Sequence, residues 1–306
     1  MMRRLLPALV LLVALTGCGG TSSDDGKLAV VTAFYPLQFV SQRVGGDAVS
    51  VSNLTKAGAE PHDVELSARQ VGEITDAGLV VYLSGFQPAV DDAVRQNAGD
   101  HAFDAASAVP LLTAADADAH AEEHAEEGEE AHAGGTDPHV WLDPTRLATI
   151  ADKLAERLGK ADPDHAADYT ARAAALRTDL TTLDGEFTKG LTTCAHREIV
   201  TSHTAFHYLA DRYDLDQIGI TGIDPEAEPS PQRLAAVAAE AKELGATTIF
   251  FETLVSPKVA ETIAREVGAE TAVLDPLEGL TDENLDYFTV MRANLATLTK
   301  ALECQS

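Results

Sequence analysis

Apolar residues recur along this chain in two rhythms. Short β-branched or apolar runs at Leu28–Ala33, Ala48–Asn53, Leu79–Leu83 and the brief Ala102–Phe103 alternate with helical patterns over Pro36–Val44, Ser67–Ala77 and Gln87–Asn97. Gly45-Gly46 stops the first helix and Gly78 marks the end of the second. Strands alternating with helices of about 10–15 residues predict parallel βαβ units. The alternation returns later, with strands at Glu198–Thr201, Gln217–Ile220, Thr247–Phe251 and Thr271–Leu274 and a last helix over Asn284–Leu302. Between the two halves, Asp143-Pro144 opens a helix to about Leu158. Asp162-Pro163, an acidic cap with proline at the first helical position, then opens a longer one to about Lys189. At 1.5 Å per residue that helix would be about 40 Å long. Gly185 inside it is a mild objection. The expectation is an α/β protein with two Rossmann-like lobes, mainly parallel sheets over 27–161 and 190–306, joined by one long linking helix over 162–189.

The first residues change the picture of where such a protein works. Arg3 and Arg4 precede an apolar run from Leu5 to Leu15, and Leu15-Thr16-Gly17-Cys18 follows. A basic start, an apolar stretch of about 7–15 residues and small residues at a cleavage point predict a signal peptide over 1–17. The run is short of the roughly 20 apolar residues of a membrane span. Leu-Thr-Gly-Cys resembles the bacterial lipobox, which implies acylation of Cys18, with ordinary cleavage and a free Cys18 as the alternative. Acyl chains would anchor the protein to the cell membrane without spanning it, with residues 18–26 as a polar tether.

Composition narrows the classes of partner. A formal charge of −27 argues against nucleic acid, whose phosphates would repel the chain. The same charge is compatible with attracting cations. Aromatics are only 5%, with one tryptophan, which disfavours an aromatic-lined sugar or peptide cleft. Apart from Cys18 the cysteines are Cys194 and Cys304. An oxidising compartment favours a disulfide between them, with two buried thiols as the alternative.

One segment, 116–136, holds His120, His124 and His132 among six glutamates with almost no large apolar side chains. Such a composition predicts a disordered loop. It reads either as a solvated acidic loop or as a weak, reversible collector of divalent ions.

Four isolated residues carry more specific chemistry. His62 lies in Glu60-Pro61-His62-Asp63 and His139 in Asp137-Pro138-His139-Val140-Trp141-Leu142-Asp143-Pro144. His203 follows the strand ending at Thr201, and Asp275 follows the strand ending at Leu274. Several of these positions lie beyond the carboxyl ends of predicted parallel strands, where open α/β sheets bind ligands. Two fall in each predicted lobe, so they can converge only in the crevice between lobes. Three imidazoles and one carboxylate suit a tetrahedral zinc site. Spacing alone leaves open, for each histidine, a surface or merely hydrogen-bonded role.

These motifs, with Phe34-Tyr35-Pro36-Leu37, Ser202-His203-Thr204-Ala205-Phe206, Gly222 to Ser230 and Leu274-Asp275-Pro276-Leu277, resemble the zinc and manganese solute-binding lipoproteins of ABC transporters. The resemblance covers nearly the whole chain after the signal. It implies two lobes on a rigid helix with the metal between them, and ligands His62, His139, His203 and Asp275. It further implies an extracytoplasmic lipoprotein delivering zinc to a membrane permease, and a tethered monomer is the simplest expectation. Glu60 is the alternative fourth ligand, and Glu252, at the end of Thr247–Phe251, could orient an imidazole. His207 could share a helix face with His203, although a structural role suits it better. A histidine at position 203 and the histidine-rich loop look like the zinc branch of the family, and nitrogen ligands favour zinc over manganese. The rivals are a manganese-binding homologue, a surface adhesin and a zinc hydrolase. The chain lacks His-Glu-x-x-His and Gly-x-Ser-x-Gly patterns, and four protein ligands would leave no open coordination position for catalysis. The expectation is a binding protein and not an enzyme.

Overall fold

In the computed structural model, residues 26–113, 135–282 and 284–305 are described. The signal peptide, Cys18 and the loop histidines His120, His124 and His132 lie outside them.

The first lobe is a four-stranded parallel sheet of order β2-β1-β3-β4, made of β1 (Leu28–Thr32), β2 (Val49–Asn53), β3 (Leu79–Tyr82) and β4 (Ala102–Asp104). Its crossovers contain α1 (Tyr35–Gly45), α2 (Ala68–Asp76) and α3 (Pro88–Asn97). Each helix starts where the sequence marks it. Pro36 and Pro88 supply a fixed φ in the first turn. Ser67 caps α2 in a reciprocal box with Gln70. Helix α1 stops at Gly46, whose φ of 56° suits glycine and whose Cβ position would lie 2.6 Å from the Arg172 guanidinium.

Helix α4 (Pro144–Ala161) then packs against the longest helix, α5 (Ala166–Leu191). The expected single helix from residue 162 instead begins as a 3₁₀ turn, Pro163–His165, because Asp162 turns its carboxylate onto the His165 ring and the Tyr169 hydroxyl. The 26 residues of α5 span about 39 Å. Gly185 faces open space, so it costs α5 helix propensity but no packing.

The second lobe repeats the plan. Strands β5 (Glu198–Thr201), β6 (Asp216–Gly219), β7 (Thr248–Phe251) and β8 (Glu270–Val273) form a parallel sheet of order β6-β5-β7-β8. Helices α6 (His207–Tyr213), α7 (Pro231–Glu243), α8 (Lys258–Val267) and α9 (Tyr287–Ala301) complete it. In both lobes the chain order reverses beside the first strand of the sheet, which opens a crevice at the carboxyl ends of the strands.

One continuous core runs through both lobes, from Val30 and Phe34 through Trp141, Leu176 and Phe187 to Tyr287 and Leu298. A smaller apolar cluster, with Ile218, Val237 and Ile263, lies under α7 and α8. On the surface, α5 pairs with three other helices through Arg43–Asp179, Arg212–Asp184 and Arg292–Glu186. Such exposed pairs contribute only about 0–1 kcal/mol each, so the shared core does most to hold the lobes together. Cys194 and Cys304 form a disulfide that ties the chain after α5 to the end of α9. No helix of the described residues is long and apolar enough to cross a membrane.

Candidate metal centre

Four side chains from different segments around the crevice meet there. His62 comes from the turn after β2, His139 from the segment before α4 and His203 from the turn after β5. The fourth is Glu278, after β8. One ligand atom from each of the four lies within 4.8 Å of the others. The Nε2 atoms of His62, His139 and His203 stand 3.3, 3.2 and 3.2 Å from the single oxygen Glu278 Oε1. His139 Nε2 and His203 Nε2 are 3.4 Å apart. A tetrahedron with Zn–N and Zn–O bonds of about 2.0–2.1 Å has edges of about 3.3 Å. Four of the six separations match those edges and exceed the roughly 2.7–2.9 Å of a charge-assisted hydrogen bond, and the two between His62 and the other imidazoles stay within 4.8 Å. The residues fit a four-coordinate N₃O ion.

Asp275, the expected fourth ligand, stands outside this group. Its Oδ1 accepts from the Leu277 N–H at 2.8 Å and its Oδ2 from the Thr253 hydroxyl at 3.0 Å. Asn294 brackets its backbone, accepting from Asp275 N at 2.9 Å and donating to Asp275 O at 2.7 Å. Asp275 is thus spent on building a turn. That turn holds Leu277 at a φ of 60°, a left-handed conformation that costs a non-glycine residue about 1 kcal/mol or more. Leu277 is fully buried, and the next residue is Glu278. The strained turn aims Glu278 into the crevice. Sequence reasoning missed Glu278, which is three positions further on and apart from the Asp-Pro motif.

Glu60, the alternative ligand, is also outside the group, and its Oε1 accepts from the His62 N–H at 2.9 Å. Burial and then the Glu278 charge push its carboxyl up to about 8. Glu252, the residue expected to orient an imidazole, lies against His203. Its Oε1 lies 2.7 Å from His203 Nδ1 and accepts from the His203 N–H at 3.2 Å. Asp137 does the same for His139, at 2.8 Å from Nδ1 and 2.9 Å from the backbone nitrogen. Sequence reasoning did not assign Asp137 this part, although the Asp-Pro-His spacing carries it. An Nδ1–H donated to a carboxylate leaves Nε2 as the ligand atom. His207 opens α6 and His203 precedes that helix, so the two share no helix face. The His207 ring instead lies 3.5 Å from Asp137 Oδ2.

The same carboxylates set the proton balance. Burial works against protonation of His203, but the charges of Glu252 and Glu278 outweigh it and hold its imidazolium well above the usual range. Burial likewise disfavours charge on His139, and Asp137 more than offsets it. For His62 burial prevails over Glu278, and its imidazole stays neutral to lower pH. Burial alone would raise Glu278, yet His203 and the hydrogen bonds from all three histidines hold it well below the usual carboxylate range.

Aromatic rings wall the crevice. Phe86 stands edge-on to His62 at 4.5 Å, and Trp141 lies 5.2 Å from His139. The second lobe grips the His139 segment directly. The Tyr208 hydroxyl donates to Asp137 O and the Tyr287 hydroxyl to Trp141 O, each at 2.7 Å. Trp141 Nε1–H returns a bond to Pro276 O, also at 2.7 Å.

Residues 30–301 match the family model described as ZnuA, zinc-uptake complex component A, periplasmic. The chain is 39% identical over 287 residues to the zinc-binding protein AdcA of Streptococcus pyogenes, covering 90% of this chain but 56% of that protein. It thus spans little more than half the length of the AdcA relatives. It is 34% identical over 312 residues to the high-affinity zinc uptake system protein ZnuA of Bacillus subtilis, covering 98% of this chain and 97% of that one. Among solved structures, Zn(II)-bound AdcA from Streptococcus pneumoniae is similar with a TM-score of 0.76 and 33% identity, over 92% of this chain and 59% of that one. The laminin-binding protein Lmb of Streptococcus agalactiae, described as a bifunctional protein with adhesin and metal transporting activity, is similar with a TM-score of 0.77 and 34% identity. That match covers 90% of this chain and 99% of Lmb.

Proposed function

The chain belongs to the family of zinc-uptake complex component A, ZnuA, and from that premise we propose that it captures zinc outside the cytoplasm and delivers it to an ABC-type uptake permease. The observation that carries this reading is the set of three imidazole Nε2 atoms at 3.2–3.3 Å around one Glu278 oxygen. Zinc is the cargo. Three nitrogen donors favour it over manganese, which suits carboxylate and water surroundings. His62, His139, His203 and Glu278 hold the ion, which leaves no coordination position open for a substrate, as binding and release require and catalysis does not. The lipobox-like Cys18 supports a membrane tether, and a monomer beside the permease is the simplest working form. Titration of the tag-free protein with zinc and manganese in competition tests the reading. The expected outcome is one tight zinc per chain that manganese fails to displace. Preferential manganese binding, or several weak sites of equal affinity, would contradict it. The likeness to Lmb supports adhesion as a second reading, tested by binding of the zinc-loaded protein to immobilised laminin.

A further inference from the structure

Two glutamines far apart in sequence make the same unusual set of contacts, one in each lobe. Gln87 occupies the N-cap position of α3, with no side-chain bond to that helix, and is 1% exposed; Gln217 lies on β6 and is 8% exposed. Gln87 Nε2 donates to Thr55 Oγ1 at 3.0 Å and to Pro61 O at 2.9 Å, and Thr55 Oγ1 in turn donates to Ala33 O at 2.8 Å. Gln217 Nε2 donates to Thr201 Oγ1 at 2.8 Å and to His203 O at 3.0 Å, and Thr201 Oγ1 donates to His203 O at 2.7 Å. Backbone carbonyls only accept, so the amide nitrogens must face them and the orientation of both side chains is fixed by chemistry.

In each case the amide spends its donors on a threonine and on the backbone of a ligand-bearing loop. Pro61 adjoins His62, and His203 is itself in the metal group. Each amide leaves Oε1 buried without a hydrogen-bond partner. Such an orphaned acceptor costs about 1–3 kcal/mol, a cost that an apolar side chain of the same shape would avoid. A packing role alone therefore does not account for glutamine at either place. The two residues come from unlike elements, an N-cap position and an edge strand, so shared secondary structure does not explain the matching contacts either.

We propose that Gln87 and Gln217 are positioning residues, a pair of amide clamps that hold the His62 and His203 loops at the spacing the metal requires. The proposal rests on the four-residue group being the zinc site. Methionine matches glutamine in shape and donates no hydrogen bond, so Gln87→Met and Gln217→Met are the direct tests. Thr201→Val removes the anchor of the second clamp and serves if a methionine variant fails to fold. Three quantities are read on the full protein: zinc affinity by chelator competition, the visible spectrum of the Co²⁺-loaded form, and the melting temperature of the metal-free form. Each variant should lose about tenfold in zinc affinity, by analogy with other groups that orient metal ligands. The Co²⁺ bands should shift, and metal-free melting should change little, because the loss of two donated hydrogen bonds is set against removal of the orphaned Oε1. Unchanged affinity and spectrum would overturn the proposal. So would metal-free melting that falls in step with affinity, which would make the glutamines ordinary structural residues. His203→Ala is the control for the site itself: retention of wild-type zinc affinity there would sink the reading of the site, and the clamps with it.

Discussion

The His139 and His203 imidazoles are held from two sides, whereas His62 is held mainly by its neighbours in the crevice. Each of the first two donates from Nδ1 to a buried carboxylate, Asp137 or Glu252, and neither has exposed side-chain surface. The His139 segment is further bonded to Tyr208, Tyr287 and Pro276 of the second lobe. His62 rests its ring against Phe86, keeps 10% of its side chain exposed and is the imidazole held neutral by burial. The difference teaches that the crevice is not divided evenly between lobes. His139, although it precedes the long helix, belongs mechanically with His203 and Glu278, and His62 closes the set from the other side.

The largest effects should follow loss of a member of that trio. Glu278→Ala and His203→Ala should each weaken zinc binding by more than about a hundredfold, since even losing a partner that only orients a ligand typically costs about 10–100-fold. Chelator competition measures both. His62→Ala should cost less than His203→Ala in the same assay, and the reverse order would break the comparison. Next in size, Glu252→Gln and Asp137→Asn should each weaken binding about tenfold while leaving one zinc per chain.

Proton release sharpens the contrast further. His139 and His203 hold their protons more tightly than an ordinary imidazole, so zinc must displace protons from them, and its affinity should rise with pH through their raised range. The sign follows from a metal-free form that is stabilised by protonation at low pH and loses that advantage as pH rises. Calorimetry in buffers of different ionisation enthalpy should detect protons released at neutral pH. The release should persist in His62→Ala and shrink in Glu252→Gln. The smallest effect is expected from deleting residues 116–136, which should leave the tight site unchanged and remove only weak additional binding of zinc.

The doubled βαβ plan was legible in the sequence because strand and helix periods differ and glycine, proline and capping residues mark their ends. Boundaries moved by one to four residues, the most at Asp162, whose contacts with His165 and Tyr169 tighten the start so that α5 begins at Ala166. His62 and His203 read from the sequence as residues after strands and His139 as one just before a helix, all in motifs of the resembling family, and the fold brings the three together. Glu278 was not legible, because its place depends on a turn that Asp275 builds through its own side chain and on a left-handed Leu277. Neither feature has a pattern that a residue count reveals. Asp137 was within reach of the local Asp-Pro-His spacing, whereas Gln87 and Gln217 were hidden for a similar reason to Glu278: their contacts to distant threonines and loop backbone exist only once the loops fold.

The account stands or falls on which carboxylate completes the site. Crystals of the zinc-loaded protein, measured at the zinc absorption edge, would locate the ion directly. The predicted result is one anomalous peak bonded to His62, His139 and His203 Nε2 and to a Glu278 oxygen at about 2.0–2.2 Å, with Asp275 still bound to Leu277 N–H and Thr253. A zinc ion ligated by Asp275 or Glu60 in place of Glu278, or seated away from the three histidines, would contradict it.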